Sequence, residues 1–462
     1  MQVELVGAQV LVAGLGTSGR AALAALRAAD AVVTTYDDHA DDAQWHRPDD
    51  IDPGAYDLVV ASPGLPPHHG VLAGARGANV PVVSEVELAW WLRAERDGHG
   101  RAPWLAVTGT NGKTTTVGML EAVLAAAGER VVAVGNVGTP VVQVVTDPDL
   151  DVLAVELSSF QLHFTSSVAA QAAAVLNIAP DHLDWHGSLD AYAADKARIW
   201  NNADAVVYNA DDPATVDLLG QRRGTGFTLG RPGPGQLGVV DGTLVDRQDV
   251  PVELAQVADM AHLAGPDGVV AAHVVADALA AAALARAHGV EPRHVRAGLA
   301  AFTPGAHRVV TVAQVGDVAF VDDSKATNAH AAAASLGGCA PGSAVWIAGG
   351  LAKGATFDDL VAARADRLRA VVLIGTDRTP WRHALARHAP QVPVIEVDDP
   401  ETGTVMTRAV AAAHRLATDP ALGSGPVVVL LAPASASMDQ FASYADRGDR
   451  FAEAAHALAH HT

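Results

Sequence analysis

Short apolar runs alternate with alanine-rich, helix-periodic segments along most of the chain, and polar turns separate them. The runs Val10–Ala13, Ala31–Tyr36 and Leu58–Ala61 predict three strands in the first hundred residues. Further strands are predicted at Trp104–Thr108, Val131–Val134, Val152–Glu156, Ala173–Ile178, Ala205–Tyr208, Val318–Val321, Ala344–Ile347, Ala370–Ile374, Val392–Glu396 and Val427–Leu431. Because helical segments such as Glu85–Arg93 and Val275–His288 lie between strands, we expect an α/β fold with mostly parallel sheets.

Two interruptions divide this pattern into three parts. Glu95–Pro103 is polar, contains glycine and ends in proline, so we interpret it as a linker. A second boundary is predicted near Phe302–Gly305. At roughly 150 residues per domain, the 462 residues are long enough for three domains, which we place at residues 1–99, 100–304 and 305–462. Between these boundaries, the glycine-rich stretch Gly224–Val250 predicts short strands or hairpins.

The composition narrows the function classes. The formal net charge of −21 disfavours nucleic acid and anionic membrane surfaces as partners. Cys339 is the single cysteine, so no intrachain disulfide can form, as is usual in a reducing cytosol. The chain has no signal-peptide pattern at its start and no apolar run near the ~20 residues of a membrane span. We therefore expect a soluble cytoplasmic protein with neither a nucleic-acid nor a membrane partner.

The strongest local motif is Gly109-Thr-Asn-Gly-Lys-Thr114, which follows a predicted strand and precedes a helix. Backbone N–H groups at such a helix start bind phosphate, Lys113 can reach the β- and γ-phosphates, and the Thr114 hydroxyl can bind Mg²⁺. Only two residues separate Gly109 from Gly112, whereas the general P-loop has four. A chance Gly-Lys-Thr turn is the alternative, and the strand–loop–helix context argues against it.

A second glycine loop, Gly14-Leu-Gly-Thr-Ser-Gly19, also follows a strand, and Asp37 lies about 20 residues further on. This spacing is typical of a dinucleotide site. Three interpretations stay open from the residues alone: an NAD site, a UDP-sugar site, or a tight turn whose glycines serve packing.

Polar groups at other strand ends suggest a metal site. Glu156 ends one strand, and Asp181 and His182 follow the next, so these groups can form a Mg²⁺ shell beside the P-loop, although imidazole is an unusual ligand for Mg²⁺. Each taken alone is as easily a cap or a structural histidine. Lys196, between Asp195 and Arg198, looks like a solvated helix lysine.

The last third of the chain brings several cations to strand ends of an otherwise acidic protein, which suggests a small anionic substrate. Each loop alone is weak evidence, since strand-end loops are commonly polar. The segments are His307-Arg308, Asp322–Asn328, Gly349–Gly354 and Ala432–Ser437, with Asp439, Tyr444 and Arg447 beyond them.

Taken together and in this order, the motifs resemble the Mur ligase family of bacterial cell-wall synthesis across the whole chain. They are GLGTSG at 14–19, ASPG at 61–64, GTNGKTT at 109–115, GNVG at 135–138, ELSSFQL at 156–162, DHLDWHG at 181–187, HR at 307–308, DDSKATN at 322–328, GGLAKG at 349–354 and ASMDQFASYADRG at 436–448. The combination of DSKATN, ELSSFQL and the C-terminal motif is most similar to the member that adds D-glutamate. The two-residue gap between Gly109 and Gly112 also resembles the spacing of the P-loop motif in this family.

The resemblance implies a Rossmann-like UDP-binding domain, a central P-loop ATPase-type α/β domain and a C-terminal Rossmann-like α/β domain. It implies an ATP-dependent ligase that joins D-glutamate to UDP-N-acetylmuramoyl-L-alanine through an acyl phosphate, with ATP and two Mg²⁺ ions, and we expect a monomer. In this interpretation Lys196, which begins the segment Lys196-Ala-Arg-Ile199, is carbamylated and helps to bind metal.

The resemblance also implies roles for individual residues. Lys113, Glu156, His182 and Lys196 would be catalytic, and Thr114, Glu156, His182 and Lys196 would bind metal. ATP would contact Gly109, Thr110, Asn111, Gly112, Lys113, Thr114, Thr115, Arg308 and Asp323. The UDP-sugar would contact Leu15, Gly16, Thr17, Asp37, Asp38, Ser62, Asn136 and His182. D-Glutamate would contact Lys325, Thr327, Lys353, Ser437 and Tyr444.

One segment departs from the family pattern. The family commonly shows H-N-x-x-N before the alanine-rich helix, where this chain has His273-Val-Val-Ala-Asp277, so the adenine or ribose contact expected there is in question. The rival hypotheses are a sister amide ligase or folylpolyglutamate synthetase, against which DSKATN and the C-terminal motif argue, and an NAD-binding oxidoreductase or regulatory module that uses only the first glycine loop.

Overall fold

The computed structural model describes residues 3–265, 268–398 and 404–461. Its internal contacts divide the chain into two compact units, Met1–Asp259 with Val274–Phe302, and Met260–His273 with Thr303–Thr462. The first unit contains a four-stranded and a nine-stranded sheet, and the second contains a six-stranded sheet. The predicted α/β class with mostly parallel sheets is confirmed, while the exact limits of three domains stay a prediction.

The four-stranded sheet is entirely parallel and has the strand order β2-β1-β3-β4. Its strands are β1 Gln9–Ala13, β2 Val32–Tyr36, β3 Leu58–Ala61 and β4 Val82–Ser84, and its helices are α1 Thr17–Ala28, α2 Gly70–Gly77 and α3 Glu85–Leu92. The following polar segment, predicted as a linker, instead forms a small hairpin of β5 Glu95–Arg96 and β6 Gly100–Arg101. Arg101 and Glu95 form an ion pair across it at 2.8 Å, so opposite charges support the pairing.

The nine-stranded sheet is parallel except at one edge, and its order is β15-β14-β13-β12-β11-β10-β7-β9-β8. The strands are β7 Trp104–Thr108, β8 Val131–Gly135, β9 Val152–Glu156, β10 Ala172–Val175, β11 Ala205–Asn209, β12 Thr225–Phe227, β13 Gln236–Val240, β14 Thr243–Asp246 and β15 Val252–Gln256. The helices are α4 Lys113–Ala126, α5 Ser159–His163, α6 Leu183–His186, α7 Leu189–Ala197, α8 Pro213–Leu219, α9 Ala272–His288 and α10 Pro292–Ala301. The pairings of β13 with β14 and of β14 with β15 are antiparallel, as the hairpins predicted in Gly224–Val250 require.

The six-stranded sheet has the order β16-β17-β21-β18-β19-β20, and only its first pair is antiparallel. The strands are β16 Val310–Val315, β17 Val318–Asp322, β18 Ala344–Gly349, β19 Leu368–Ile374, β20 Val394–Glu396 and β21 Val427–Leu431. The helices are α11 Ala329–Gly337, α12 Asp358–Arg364, α13 Thr379–His388, α14 Val405–Ala417 and α15 Tyr444–His461. In the described parts of the chain, no helix has the length and apolar character needed to cross a membrane.

The central strands are buried along their whole length, as continuous apolar runs in a parallel sheet require. β7 and β9 have no exposed residue, and β10 lies directly beside β7. β10 ends at Val175, three residues before the predicted end, because the chain there turns towards the P-loop: Asn177 accepts a hydrogen bond from Thr110 N at 3.0 Å. The carboxyl ends of these strands therefore meet at the loops that carry the sequence motifs.

Candidate active site

The P-loop joins β7 to α4 as the sequence predicts. Gly112 precedes the helix in a left-handed conformation with φ of +83°, and Lys113 is the first helical residue. A Cβ atom at Gly112 would lie 2.3 Å from Asp277 Oδ1, so the position needs glycine for both its conformation and its close contact. Asp277, which replaces the family's usual asparagine, therefore packs directly on the P-loop.

The loop is ordered by its own lysine and by the neighbouring strand end. Lys113 Nζ donates to Gly109 O at 2.9 Å and to Thr110 O at 3.0 Å. Asn177 Oδ1 accepts from Asn111 N at 2.9 Å. The ammonium group is thus held at the loop, where it can neutralise an anion bound to the N-terminus of α4.

Thr114 and Glu156 present paired oxygen atoms directly beside this loop. Thr114 Oγ1 donates to Glu156 Oε2 at 2.5 Å, and Asn136 Nδ2 donates to the other carboxylate oxygen at 2.9 Å. Glu156 is only 2% exposed. A hydroxyl and a carboxylate are oxygen ligands of the kind Mg²⁺ takes together with phosphate and water, so these residues fit one such ion.

The interpretation of Lys196 as a solvated helix lysine is wrong, because its side chain is buried and only 2% exposed. Its Nζ donates to Gly109 O at 2.9 Å, the same carbonyl that Lys113 Nζ contacts. Burial, and then the charge of Lys113, lower the pKa of Lys196 well below its ordinary value. The residue therefore lies at the P-loop with a raised population of neutral amine.

His182 lies at the start of α6 in a left-handed conformation with φ of +52°. Its ring packs edge-on against Phe160 at 4.7 Å between centroids, and its Nε2 lies 3.6 Å from Asp181 Oδ2. In the described residues, no group of three or more His, Cys, Asp or Glu side chains is arranged to hold a metal.

Behind this site, Asp195 of α7 contacts His163 of α5 and His186 of α6, and no local sequence signal predicts this network. Asp195 Oδ2 lies 2.8 Å from His163 Nδ1 and 2.9 Å from His186 Nδ1, and His186 Nε2 lies 3.0 Å from Ser159 Oγ. Burial raises the pKa of Asp195, but the two histidine contacts outweigh it and leave the pKa at about 2. The network fixes α7, and with it Lys196, against α5.

The first glycine loop is organised by Asp37. Its carboxylate accepts hydrogen bonds from Leu15 N at 2.6 Å and from the N–H groups of His39 and Ala40, both at 2.9 Å. Partial burial raises the pKa of Asp37, but these donors outweigh it, so the pKa falls below its ordinary value. Asp37 therefore shapes the loop itself.

The glycines of this loop allow close packing and leave a helix start available. A Cβ atom at Gly14 would lie 2.6 Å from Ser62 Cβ, and one at Gly19 would lie 1.8 Å from Gly14 O. Gly16 precedes Thr17, the first residue of α1, and no side chain caps this helix. The loop thus combines the packing role with an N-terminus suited to a phosphate group. Next to it, Asp38 accepts a hydrogen bond from Tyr36 OH, and His69 Nε2 lies 3.7 Å from Asp38 Oδ2.

In the second unit, the loops after β17 and β21 contain most of the residues predicted to bind an amino acid. Lys325 Nζ lies over the Tyr444 ring at 5.1 Å from its centroid, and Thr327 N donates to Lys325 O at 2.8 Å. Ser437 is buried in the loop after β21, and Lys353 follows β18 with φ of +49°. Lys325, Thr327 and Ser437 therefore lie on these two loops, which are joined by a hydrogen bond from Ala434 N to Ala326 O at 2.8 Å. Tyr444 is the first residue of α15, and Lys353 lies on a third loop.

Arg308 and Asp323 were predicted to reach a nucleotide. Asp323 is buried, accepts a hydrogen bond from Ser335 Oγ, and has a pKa raised to about 6 by burial, which the charge of Arg308 partly opposes. The neighbouring Asp322 accepts from His307, whose Nδ1 lies 2.6 Å from Oδ2. The twin aspartates thus order the segment around Arg308, and nucleotide contact by Arg308 and Asp323 stays a prediction.

Comparison with known proteins agrees with this architecture. Residues 107–285 match the model of the Mur ligase middle domain. The chain is 53% identical over 480 aligned positions to the UDP-N-acetylmuramoylalanine--D-glutamate ligase of Streptomyces avermitilis, covering 98% of each chain. It is 48% identical to the protein of the same name from Mycolicibacterium smegmatis, covering 98% of this chain and 97% of the relative.

Solved structures show the same fold at low sequence identity. UDP-N-acetylmuramate-alanine ligase from Thermotoga maritima superposes with a TM-score of 0.58 at 17% identity, covering 98% of this chain and 100% of that one. Folylpolyglutamate synthase from Mycobacterium tuberculosis, solved with ADP and AMPPCP, gives 0.54 at 18% identity, covering 77% and 91%. Fold and site together define a three-domain ligase of the Mur type. Within that class, the chain belongs to the UDP-N-acetylmuramoylalanine--D-glutamate ligase family.

Proposed function

We propose that this chain is the cytoplasmic ATP-dependent ligase that joins D-glutamate to UDP-N-acetylmuramoyl-L-alanine in peptidoglycan precursor synthesis. The observation that carries the proposal is the arrangement of Lys113, Lys196, Thr114 and Glu156 around one P-loop. It occurs in a chain 53% identical to the Streptomyces avermitilis ligase over 98% of both lengths. The relatives bear the substrate names, and the geometry supports phosphoryl transfer.

In the proposed reaction, the substrate carboxylate attacks the γ-phosphate of ATP, which gives an acyl phosphate and ADP. The amine of D-glutamate then attacks the acyl carbonyl, and the tetrahedral intermediate collapses with loss of phosphate. Enzymes catalyse phosphoryl transfer mainly by positioning and by charge neutralisation. Lys113 would supply one positive charge at the loop, and the N–H groups at the start of α4 would orient the phosphates.

Bound Mg²⁺ would neutralise the negative charge of the phosphates. Thr114 and Glu156 would hold one ion, and His182 and Lys196 would contribute ligands to a second ion. Carbamylation of Lys196 requires a neutral amine, and burial beside Lys113 favours that form. Addition of CO₂ to the neutral amine, with loss of a proton, would convert this buried side chain into a carbamate, an anionic oxygen ligand for metal.

We also propose the contacts to the UDP-sugar, D-glutamate and ATP that the family resemblance implies. The UDP-sugar would bind at the first glycine loop and its surroundings, through Leu15, Gly16, Thr17, Asp37, Asp38, Ser62, Asn136 and His182. D-Glutamate would bind through Lys325, Thr327, Lys353, Ser437 and Tyr444. Arg308 and Asp323 would join the P-loop residues Gly109–Thr115 at ATP. We further propose that the enzyme acts as a monomer.

The test is phosphate release from ATP with UDP-N-acetylmuramoyl-L-alanine and Mg²⁺, with D-glutamate, L-glutamate or meso-diaminopimelate as third substrate. We expect release to depend on D-glutamate. Equal or greater release with another amino acid would reassign the enzyme to a sister ligase. A nicotinamide-dependent absorbance change without phosphate release would instead favour an oxidoreductase.

A further inference from the structure

The two loops proposed to bind D-glutamate are connected by one buried guanidinium group. Arg447 lies in the first turns of α15, and its side chain is 0% exposed. The loop after β17 contains Lys325 and Thr327, and the loop after β21 contains Ser437. Arg447 bonds Ser324 on the first loop and Ser435 on the second, which lie 123 and 12 residues away in sequence, so its contacts are tertiary.

Arg447 donates three hydrogen bonds that reach both loops. Nε donates to Ser324 Oγ at 2.9 Å, and Nη2 donates to Ser324 O at 2.8 Å. Nη1 donates to Ser435 O at 3.0 Å. Ser324 Oγ in turn donates to Tyr444 O at 2.7 Å, which ties the start of α15 to the same point. The planar guanidinium therefore fixes Ser324, Ser435 and Tyr444 relative to one another.

Burying the guanidinium cation of Arg447 costs desolvation free energy. Its retention at this position indicates that the geometry of its hydrogen bonds has a role. Burial lowers the pKa of Arg447 to about 10, although the charges of Asp439 and Asp322 oppose this shift. In the described parts of the chain, Arg447 forms no ion pair, and its acceptors are two carbonyls and a hydroxyl. Apolar packing would fill this volume at lower desolvation cost, but would not set the distance between the loops.

We propose that Arg447 is a positioning residue that sets the spacing of the two loops and thereby the affinity for D-glutamate. The proposal rests on the proposed function, which places Lys325 and Thr327 on one side of the amino acid and Ser437 on the other. A dicarboxylate bound between two loops needs donors at fixed separation, and a displacement of about 1 Å weakens such hydrogen bonds severely.

The test compares Arg447→Lys with Arg450→Lys. Lysine keeps the charge but has one nitrogen in place of three at fixed separation, so it cannot reproduce the spacing that the guanidinium group sets between Ser324 and Ser435. Arg450 lies one turn later on α15, is partly exposed, and pairs with Asp446 at 2.8 Å, so its replacement leaves the contacts of Arg447 with Ser324 and Ser435 in place. For Arg447→Lys we expect the KM for D-glutamate to rise at least about tenfold, with the KM values for ATP and the UDP substrate within about twofold of wild type.

A parallel change in all three KM values, or no change for D-glutamate, would overturn the inference. Ser324→Ala is the milder second variant, since it removes one acceptor and leaves both carbonyls. It should raise the same KM by a smaller factor, and it keeps the proposal testable if Arg447→Lys does not fold.

Hydrogen exchange separates this inference from the proposed function. In Arg447→Lys, or in Ser324→Ala if the first variant is unstable, peptides covering residues 322–328 and 432–441 should exchange faster than in wild type. Peptides covering β18 and β19 should be unchanged. If wild type shows no D-glutamate-dependent reaction, the proposed function fails, whereas unchanged exchange in both loops shows that Arg447 does not order them.

Discussion

Replacing Gly448 with alanine tests the packing of α15 against His307 and Asp322, because two effects of opposite sign compete there. Gly448 lies inside α15, where alanine improves helix propensity by up to about 1 kcal/mol. A Cβ atom at this position would lie 2.2 Å from His307 Nδ1 and 2.7 Å from Asp322 Oδ2. It would therefore occupy the space of the bond between His307 and Asp322, which joins these two atoms at 2.6 Å.

The sizes of these energies decide whether Gly448→Ala stabilises or destabilises the folded protein. Inserting a methyl group into a well-packed site costs about 1–3 kcal/mol. Separating His307 from the buried carboxylate of Asp322 costs roughly 1.5–3 kcal/mol more, since hydrogen bonds to charged groups are the stronger ones. After the gain in propensity is subtracted, Gly448→Ala should lower the free energy of unfolding by at least about 1.5 kcal/mol.

The assay is urea unfolding followed by tryptophan fluorescence, since Trp346 and Trp381 are buried in the same unit. The matched control is Gly337→Ala, a helical glycine of α11 whose added Cβ would lie no closer than 3.5 Å to a neighbouring atom, the Arg364 side chain. The control should be neutral or slightly stabilising. If Gly448→Ala were as stable as the control, the close packing of α15 on His307 would be wrong.

Three further predictions address the site and its surroundings. Lys196→Ala should lower kcat by more than about 100-fold, measured by phosphate release, and near-wild-type turnover would remove the carbamate role. Thr114→Val keeps the shape but removes the hydroxyl beside Glu156, so half-maximal activity should need at least about tenfold more Mg²⁺; an unchanged Mg²⁺ dependence would contradict a metal site there. Burial raises the pKa of Glu85 to about 7 from an ordinary 4.5. The folded state then binds the extra proton between these pH values, so stability falls as pH rises through this window. Glu85→Gln should therefore be more stable than wild type at pH 8, by up to roughly 3 kcal/mol, and the difference should vanish near pH 4.5. A difference that is independent of pH would show that Glu85 does not titrate in this way.

Several features of the fold and site could be predicted from sequence because their signals are local. Continuous apolar runs marked the buried strands β7 and β9, and the position of Gly112-Lys113 between a strand and a helix predicted the loop that the structure contains. Most strand ends were predicted within two residues. The exception is β10, which ends early because the chain turns at Asn177, whose carbonyl accepts a hydrogen bond from Thr110 N in the P-loop. An apolar run in the sequence does not predict such a tertiary contact.

Other features could not be predicted because their causes lie far along the chain. Lys196 was interpreted as solvated because it sits among charged neighbours, yet it is buried through its bond to Gly109, 87 residues away. Asp195 meets His163 across 32 residues, and Arg447 meets Ser324 across 123 residues. No periodicity signals such pairs. The resemblance to a family identified Lys196, whereas the roles of Asp195 and Arg447 emerge only from the three-dimensional contacts.

In the proposed reaction, the enzyme activates a substrate carboxylate as an acyl phosphate before D-glutamate attacks. The most direct measurement supplies UDP-N-acetylmuramoyl-L-alanine with ¹⁸O in its free carboxylate, together with ATP, Mg²⁺ and D-glutamate, and determines the mass of the released phosphate. We expect one ¹⁸O atom in each phosphate and a product that is heavier by one glutamyl residue. Unlabelled phosphate alongside the same amide product would contradict it, because the carboxylate oxygen would then never have been bound to phosphorus.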